Sequence, residues 1–297
     1  MSIEQQLNIP SPIHTVSTSW TDVYGITLSI KRDDLIHPII SGNKWRKLSG
    51  IFREFAEESY SEVVTYGGAF SNHLVATAAS CAILGKISTG IIRGEEPKVL
   101  NAVLKLCKLY GMHLQFVTRT EYKEVNRTYG IKDKKSYVPE GGACQAGTVG
   151  CKNIITELVT AKYDKIMVAC GTGTTLAGMA EHLQALHQLS KLVGVQVLKG
   201  KDYIKHEVEN TYGIQGVNVL DDFHCGGYAK MNTELVHFIK DFNRETGVLL
   251  DPIYTGKLLL TIQKCCENGT IARGERVLAI HTGGLTGWFG KWEELDL

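Results

Sequence analysis

Lys165-Ile166-Met167-Val168-Ala169-Cys170, followed by Gly171-Thr172-Gly173-Thr174-Thr175, reads as one unit: a buried strand, a tight turn and the start of a helix. An apolar run of this length ended by glycine suits a strand, and Leu176 to Leu189 then carries a helical period. The same alternation extends outward. Glu62 to Tyr66 reads as a strand, Gly67-Gly68 as a turn, and the chain from Ser71 as a helix capped by Ser71 or Asn72. Lys86 to Ile92 and Leu114 to Val117 read as strands, with a helix over Val99 to Tyr110 between them. Val193 to Val197 and Arg276 to His281 complete the strand series. The pattern predicts an α/β fold. The glycine-rich stretch from Pro139 to Gly150 interrupts it and is expected to be a crossing between two domains.

Composition narrows the function classes. Of 297 residues, 21% are charged and 43% apolar, and 32 Lys plus Arg nearly cancel 31 Asp plus Glu. There is no basic excess or stripe of the kind a nucleic-acid binder shows, and Lys132-Asp133-Lys134-Lys135 reads as a solvated turn. The eight cysteines include no Cys-x-x-Cys pair, so buried reduced thiols are expected. The ten histidines show no metal-ligand spacing. Met1 to Gln6 has neither the basic nor the apolar region of a secretory signal, and no run nears about 18 apolar residues, so a cytoplasmic protein is expected.

Two local features suggest chemistry. At Gly171 to Thr175, helix-start amides and threonine hydroxyls could hold an anion; taken alone, the turn fits a phosphate or an unliganded tight turn equally. It lacks the ending of a Walker loop and the third glycine of a dinucleotide fingerprint, so a phosphate monoester suits it better than a nucleotide. In Ser41-Gly42-Asn43-Lys44-Trp45-Arg46-Lys47-Leu48, Lys44 follows a glycine turn near a helix start. The helix N-terminus and the neighbouring Arg46 and Lys47 should disfavour a further positive charge, leaving the Lys44 amine more nucleophilic. By itself such a lysine is more often a solvated charge on an amphipathic helix.

The lysine segment resembles the Gly-Asn-Lys-x-Arg-Lys-Leu segment of the 1-aminocyclopropane-1-carboxylate deaminase and D-cysteine desulfhydrase family. Gly67-Gly68-Ala69-Phe70-Ser71-Asn72-His73 resembles a second block, with Phe70 where glutamine is usual. Gly171 to Gly178 resembles the family's phosphate loop, and Asp251-Pro252-Ile253-Tyr254-Thr255-Gly256-Lys257 and His281-Thr282-Gly283-Gly284 resemble two more. Five blocks thus occur in family order across residues 31 to 287, and the region around Arg93 to Pro97 is abbreviated.

The resemblance implies a two-domain tryptophan-synthase-β-like α/β fold: three-layer α/β/α domains with largely parallel sheets. Residues 1–47 and 156–297 would form the larger, pyridoxal-phosphate-binding domain and residues 48–155 the smaller. It implies pyridoxal 5′-phosphate as cofactor, carried as a Schiff base on Lys44, whose released amine then serves as a base. Asn72 would bond the cofactor's ring oxygen, and Gly171, Thr172, Gly173, Thr174 and Thr175 its phosphate. Ser71, Asn72, His73 and Thr282 would face the substrate, and Ser71, Tyr254 and Tyr228 count among the catalytic candidates. Thr255 stands where the deaminases carry a glutamate near the pyridine nitrogen, and Thr282 where they carry leucine. Both positions resemble the desulfhydrase branch, in which α,β-elimination of D-cysteine gives pyruvate, ammonia and sulfide. A β-leaving group accepts the electrons, so elimination demands less of the ring than cyclopropane opening does.

The expectation is therefore a β-eliminating lyase acting on D-cysteine or a related β-substituted D-amino acid. Cyclopropane-carboxylate deamination is the alternative. A non-catalytic pyridoxal phosphate or amino-acid binding protein comes third, and a nucleotide-binding α/β protein is a further reading. A homodimer is expected from the resemblance alone.

Overall fold

The computed structural model describes residues 3–295. Eleven strands run in chain order as β1 (Ile13–Val16), β2 (Thr27–Lys31), β3 (Glu62–Gly67), β4 (Ile87–Arg93), β5 (His113–Val117), β6 (Gly130–Lys132), β7 (Lys135–Val138), β8 (Lys165–Cys170), β9 (Leu192–Gln196), β10 (Asn218–Leu220) and β11 (Arg276–Ile280). They form a six-stranded sheet of order β1-β2-β11-β8-β9-β10 and a five-stranded sheet of order β5-β4-β3-β7-β6. Among the described residues, the edge strand pairs β1–β2 and β6–β7 are antiparallel and the other strand pairs are parallel. The central register is set by pairs such as Ala279 with Ile30 and Ile280 with Val168.

Alternation along the strands of the larger sheet feeds two cores. Ile166, Val168 and Cys170 pack with Leu176, Met179 and Leu183 on one face. Met167 and Ala169 pack with Phe242, Leu258 and Ile262 on the other. A strand buried on both faces has no reason to alternate polar with apolar, which is why β8 reads as a continuous apolar run. Helices on both faces make the three layers.

Three expectations change. The helix expected from Val99 begins at Ala102, because Asn101 caps it by accepting from the Leu104 amide at 2.9 Å, while Val99 is exposed. The Pro139–Gly150 stretch is not a simple interruption: it contains a 3-10 turn (Glu140–Gly142) and a helix (Gln145–Cys151). Its glycines serve helix contact. A Cβ on Gly150 would lie 1.9 Å from the Arg46 carbonyl oxygen, one on Gly50 2.0 Å from that of Ala146, and one on Gly178 2.2 Å from that of Thr148. Backbones in such contact admit no side chain. The turn after β8 is also tighter than expected, since the next helix spans Thr174–Ala185.

The helix bearing Lys44 runs unbroken from Gly42 to Glu54, across the expected boundary at residue 47. Among the described residues, no helix is long and apolar enough to cross a membrane, and the eight cysteines are free thiols, six of them buried.

Candidate active site

The carboxyl ends of β8, β11 and β2 are where a doubly wound sheet receives a ligand, and the turns leaving them supply most of the site. β8 runs into Gly171-Thr172-Gly173, with Gly173 at φ +75°. The amides of Thr174, Thr175 and Leu176 open the next helix and have no backbone acceptor among the described residues. Thr172 Oγ1 lies 3.0 Å from Thr174 Oγ1, and Thr174 Oγ1 lies 2.8 Å from the Tyr212 hydroxyl. A Cβ on Gly171 would come within 3.1 Å of Tyr254 Cε1 and press on that ring. The turn is thus a neutral cradle of donors with a helix dipole behind it, suited to a phosphate.

Lys44 and Lys47, one turn apart on the same helix, both face this region. Lys44 Nζ donates to Asn43 Oδ1 at 2.9 Å and stands 5.9 Å from the Tyr254 ring centroid. Asn43 in turn donates through Nδ2 to Thr175 Oγ1 at 3.2 Å. Burial pushes the Lys44 amine down to about 7; the Lys47 charge adds to this and the Asp251 carboxylate opposes it. The expected part played by Arg46 is corrected: its guanidinium turns away and pairs with Asp33 at 2.9 Å and with Glu157. Residues two apart on a helix point about 200° apart, so Arg46 cannot share the face of Lys44. Lys47 Nζ donates to Thr172 Oγ1 at 3.2 Å and to the Gly141 carbonyl at 3.0 Å.

The turn after β3 brings Ser71 and Asn72 to the start of the Asn72–Leu84 helix, where Ser71 Oγ accepts from the Leu74 amide. Asn72 Oδ1 accepts from the Thr286 hydroxyl. Thr65 donates its single hydroxyl proton to the Val138 carbonyl (2.9 Å), so its oxygen accepts from His73 Nε2–H, also at 2.9 Å. This fixes the His73 tautomer and leaves Nδ1 a buried acceptor with no partner among the described residues. Burial, then the Lys44 and Lys47 charges, hold His73 neutral well below its ordinary range. Phe70 is 46% exposed and rests against Gly290.

After Leu250 the chain turns at Asp251, whose buried carboxylate accepts from the Ile253, Tyr254 and Thr255 amides and from the Thr255 hydroxyl at 2.7 Å. The Thr255 proton is therefore committed to Asp251, and Thr255 Oγ1 also accepts from the Asp251 amide at 2.8 Å. Tyr254 packs edge-on against Tyr228, ring centroids 6.3 Å apart, and burial followed by this neighbour holds its phenol well above the ordinary value. Tyr228 is half exposed. The Thr282 carbonyl accepts from the Asn43 amide at 3.2 Å, and a Cβ on Gly42 would lie 1.9 Å from it. His281 bonds the Leu249 carbonyl and the Gly283 amide.

Asp251, Asn43 and Thr286 carry site contacts for which the sequence reading gave no role, and Lys47, expected only to disfavour charge on Lys44, also donates to the turn after β8. Lys47 was one of two lysines on a helix, and its i, i+3 spacing from Lys44 was the available signal.

The residues fit a phosphate-bearing aldehyde cofactor: amides without acceptors, hydroxyl donors, an amine that is half uncharged near neutrality, and an orphaned imidazole nitrogen. Comparison with known proteins agrees. The pattern of the family described as "Pyridoxal-phosphate dependent enzyme" matches residues 5–283. A Pyrococcus abyssi protein provisionally named a 1-aminocyclopropane-1-carboxylate deaminase is 34% identical over 295 residues, covering 91% of this chain and 88% of its own. The Arabidopsis thaliana protein named bifunctional D-cysteine desulfhydrase/1-aminocyclopropane-1-carboxylate deaminase, mitochondrial, is 32% identical, covering 97% and 79%. The crystal structure of an ACC deaminase homologue superposes with a TM-score of 0.82 at 28% identity, covering 98% of this chain and 94% of that one.

Proposed function

We propose, from the premise that this chain belongs to the pyridoxal-phosphate-dependent enzyme family, that it eliminates the β-substituent of D-cysteine or a related β-substituted D-amino acid. With D-cysteine, one water is taken up and pyruvate, ammonia and sulfide leave. Bound pyridoxal phosphate supplies the electron sink conjugated to the substrate α-carbon. The Gly171–Leu176 segment and Lys47 would hold its phosphate, and Lys44 would carry it covalently. The Lys44 amine, buried and largely uncharged just above neutrality, is suited to hold the α-proton. Ser71 and Asn72 open a helix whose free amides suit a carboxylate. Tyr254, kept protonated, is a proton donor for a departing group rather than a base.

The observation that carries the choice of reaction is Thr255. Where the resembled deaminases have a glutamate, this chain has a neutral hydroxyl whose proton is already given to Asp251. Deamination of the cyclopropane substrate is the second reading, supported by the names of the relatives. Incubating purified protein with each substrate and identifying the keto acid separates the two. Pyruvate from D-cysteine is expected; 2-oxobutyrate alone, from the cyclopropane substrate, overturns the ranking.

The same reading divides the chain into a larger part, 1–47 and 156–297, and a smaller one, 48–155, in a cytoplasmic homodimer. Sedimentation of the purified protein checks the last point.

A further inference from the structure

Lys257 is the third residue of the Thr255–Glu267 helix, and its side chain is fully buried. Nζ donates to two carbonyls, His224 at 2.8 Å and Gly227 at 2.7 Å. Among the described residues no carboxylate lies within ion-pair distance of it. Burial pushes this amine down to about 8, with Cys225 and Asp251 opposing and Lys291 adding to the effect. A buried ammonium held only by carbonyls is costly, and the loop it holds is itself strained. Cys225 and Ala229 have φ of +51° and +52°, and Gly226 and Gly227 lie between them at +92° and +113°.

The two carbonyls are also the acceptors of the loop's own turns, from the Gly227 amide at 3.0 Å and the Lys230 amide at 3.1 Å. Lys257 therefore joins two successive turns of the loop through one amine. The second of these turns carries Tyr228, edge-on to Tyr254. Tyr254 lies three residues before Lys257 and is fixed by Asp251, so one helix start holds both tyrosines, one through its cap and one through its lysine. On its outer side the loop lines a cleft of about 500 Å³, with Lys199, Tyr203 and Lys230.

We propose that Lys257 is a positioning residue: its Nζ closes the His224–Tyr228 loop onto Tyr254 and so sets the wall of the site between the outer cleft and Lys44. The inference rests on the placement of the reaction at Lys44 and Tyr254.

The test uses the cofactor-loaded protein and Lys257→Met, which keeps the side chain's length and removes its donors. Hydrogen exchange at the Gly226, Gly227 and Lys230 amides should quicken by roughly tenfold or more, with exchange in the Thr174–Ala185 helix unchanged. The kcat/KM for keto-acid release should fall by about tenfold or more, and the same substitution in a Tyr228→Ala background should cost little further, because its effect passes through Tyr228. Unchanged loop exchange, or losses that simply add, would overturn the proposal. If Lys257→Met does not fold, Gly227→Ala strains the loop at φ +113° with Lys257 in place. It should give the same exchange and kinetic signature; unchanged exchange and kinetics would overturn the proposal in the same way. Absence of turnover with every amino acid tried would sink the functional reading while leaving the exchange result to judge Lys257.

Discussion

The Lys47 amine donates to Thr172 Oγ1 across 3.2 Å, tying the helix that carries Lys44 to the phosphate turn after β8. One lysine of the pair is thereby engaged with that turn, while the other stands 5.9 Å from the Tyr254 ring centroid.

Lys47→Met should weaken cofactor binding by roughly 10- to 100-fold, the equivalent of about 1.5–3 kcal/mol for a charge-assisted hydrogen bond. Equilibrium titration of the apoprotein followed by absorbance measures it. Borohydride reduction and peptide mapping should still find the cofactor on Lys44; label on Lys47 in the native protein would show the assignment reversed.

Cofactor capture by the apoprotein should accelerate as pH rises through about 7, since the uncharged amine is the nucleophile and Lys44 loses its proton there. Its two charged neighbours act in opposite senses. Removing the Lys47 charge should move the midpoint up, and Asp251→Asn, which removes the opposing carboxylate, should move it down. Capture rates across pH 5 to pH 9 test both, and shifts in the same direction would refute the electrostatic account.

Tyr254→Phe keeps the ring against Tyr228 and deletes the proton. If Tyr254 protonates the departing group, kcat should fall by about 10² to 10⁴. A loss confined to KM would reassign it to packing.

Asp33 is fully buried between Arg46, at 2.9 Å, and Ser11, at 2.6 Å. Burial alone would raise its pKa, but the charges of Arg46 and Lys31 and the hydrogen bonds from Arg46 and Ser11 win and hold it below the ordinary 3.8. A depressed carboxylate contributes stability that is complete above the unfolded value and lost as pH falls through the folded one. Asp33→Asn should therefore cost about 3–5 kcal/mol at pH 7, as an uncompensated buried cation does. Urea unfolding should show the gap to wild type unchanged down to about pH 4 and narrowing only below it.

Much of this fold was legible because strands buried on both faces leave apolar runs that glycine turns punctuate. β8 and β11 read almost to the residue. The elements that escaped have other causes. The Gln145–Cys151 helix hides behind Gly147 and Gly150, which helix contact requires but which lower helical propensity. In the site, Lys44, Ser71, Asn72 and the threonine turn stood in recognisable blocks. Asp251 lay within one of them, yet its role depends on the turn that folds its carboxylate back onto the next helix, and no spacing rule reveals that. Arg46 was misjudged because adjacency in sequence was taken for adjacency in space.

The bare backbone contact between the Lys44 helix and the Gln145–Cys151 helix bears on how such enzymes can be recombined. Gly50 and Gly150 are a hundred positions apart in sequence, but each is the hole into which the other helix's carbonyl fits. A chimera that replaces the 48–155 segment exchanges positions 50 and 150 together, yet it keeps the host's Arg46, whose carbonyl sits against position 150. A crossover placed before Ser41 would move the amine and its seat as one piece.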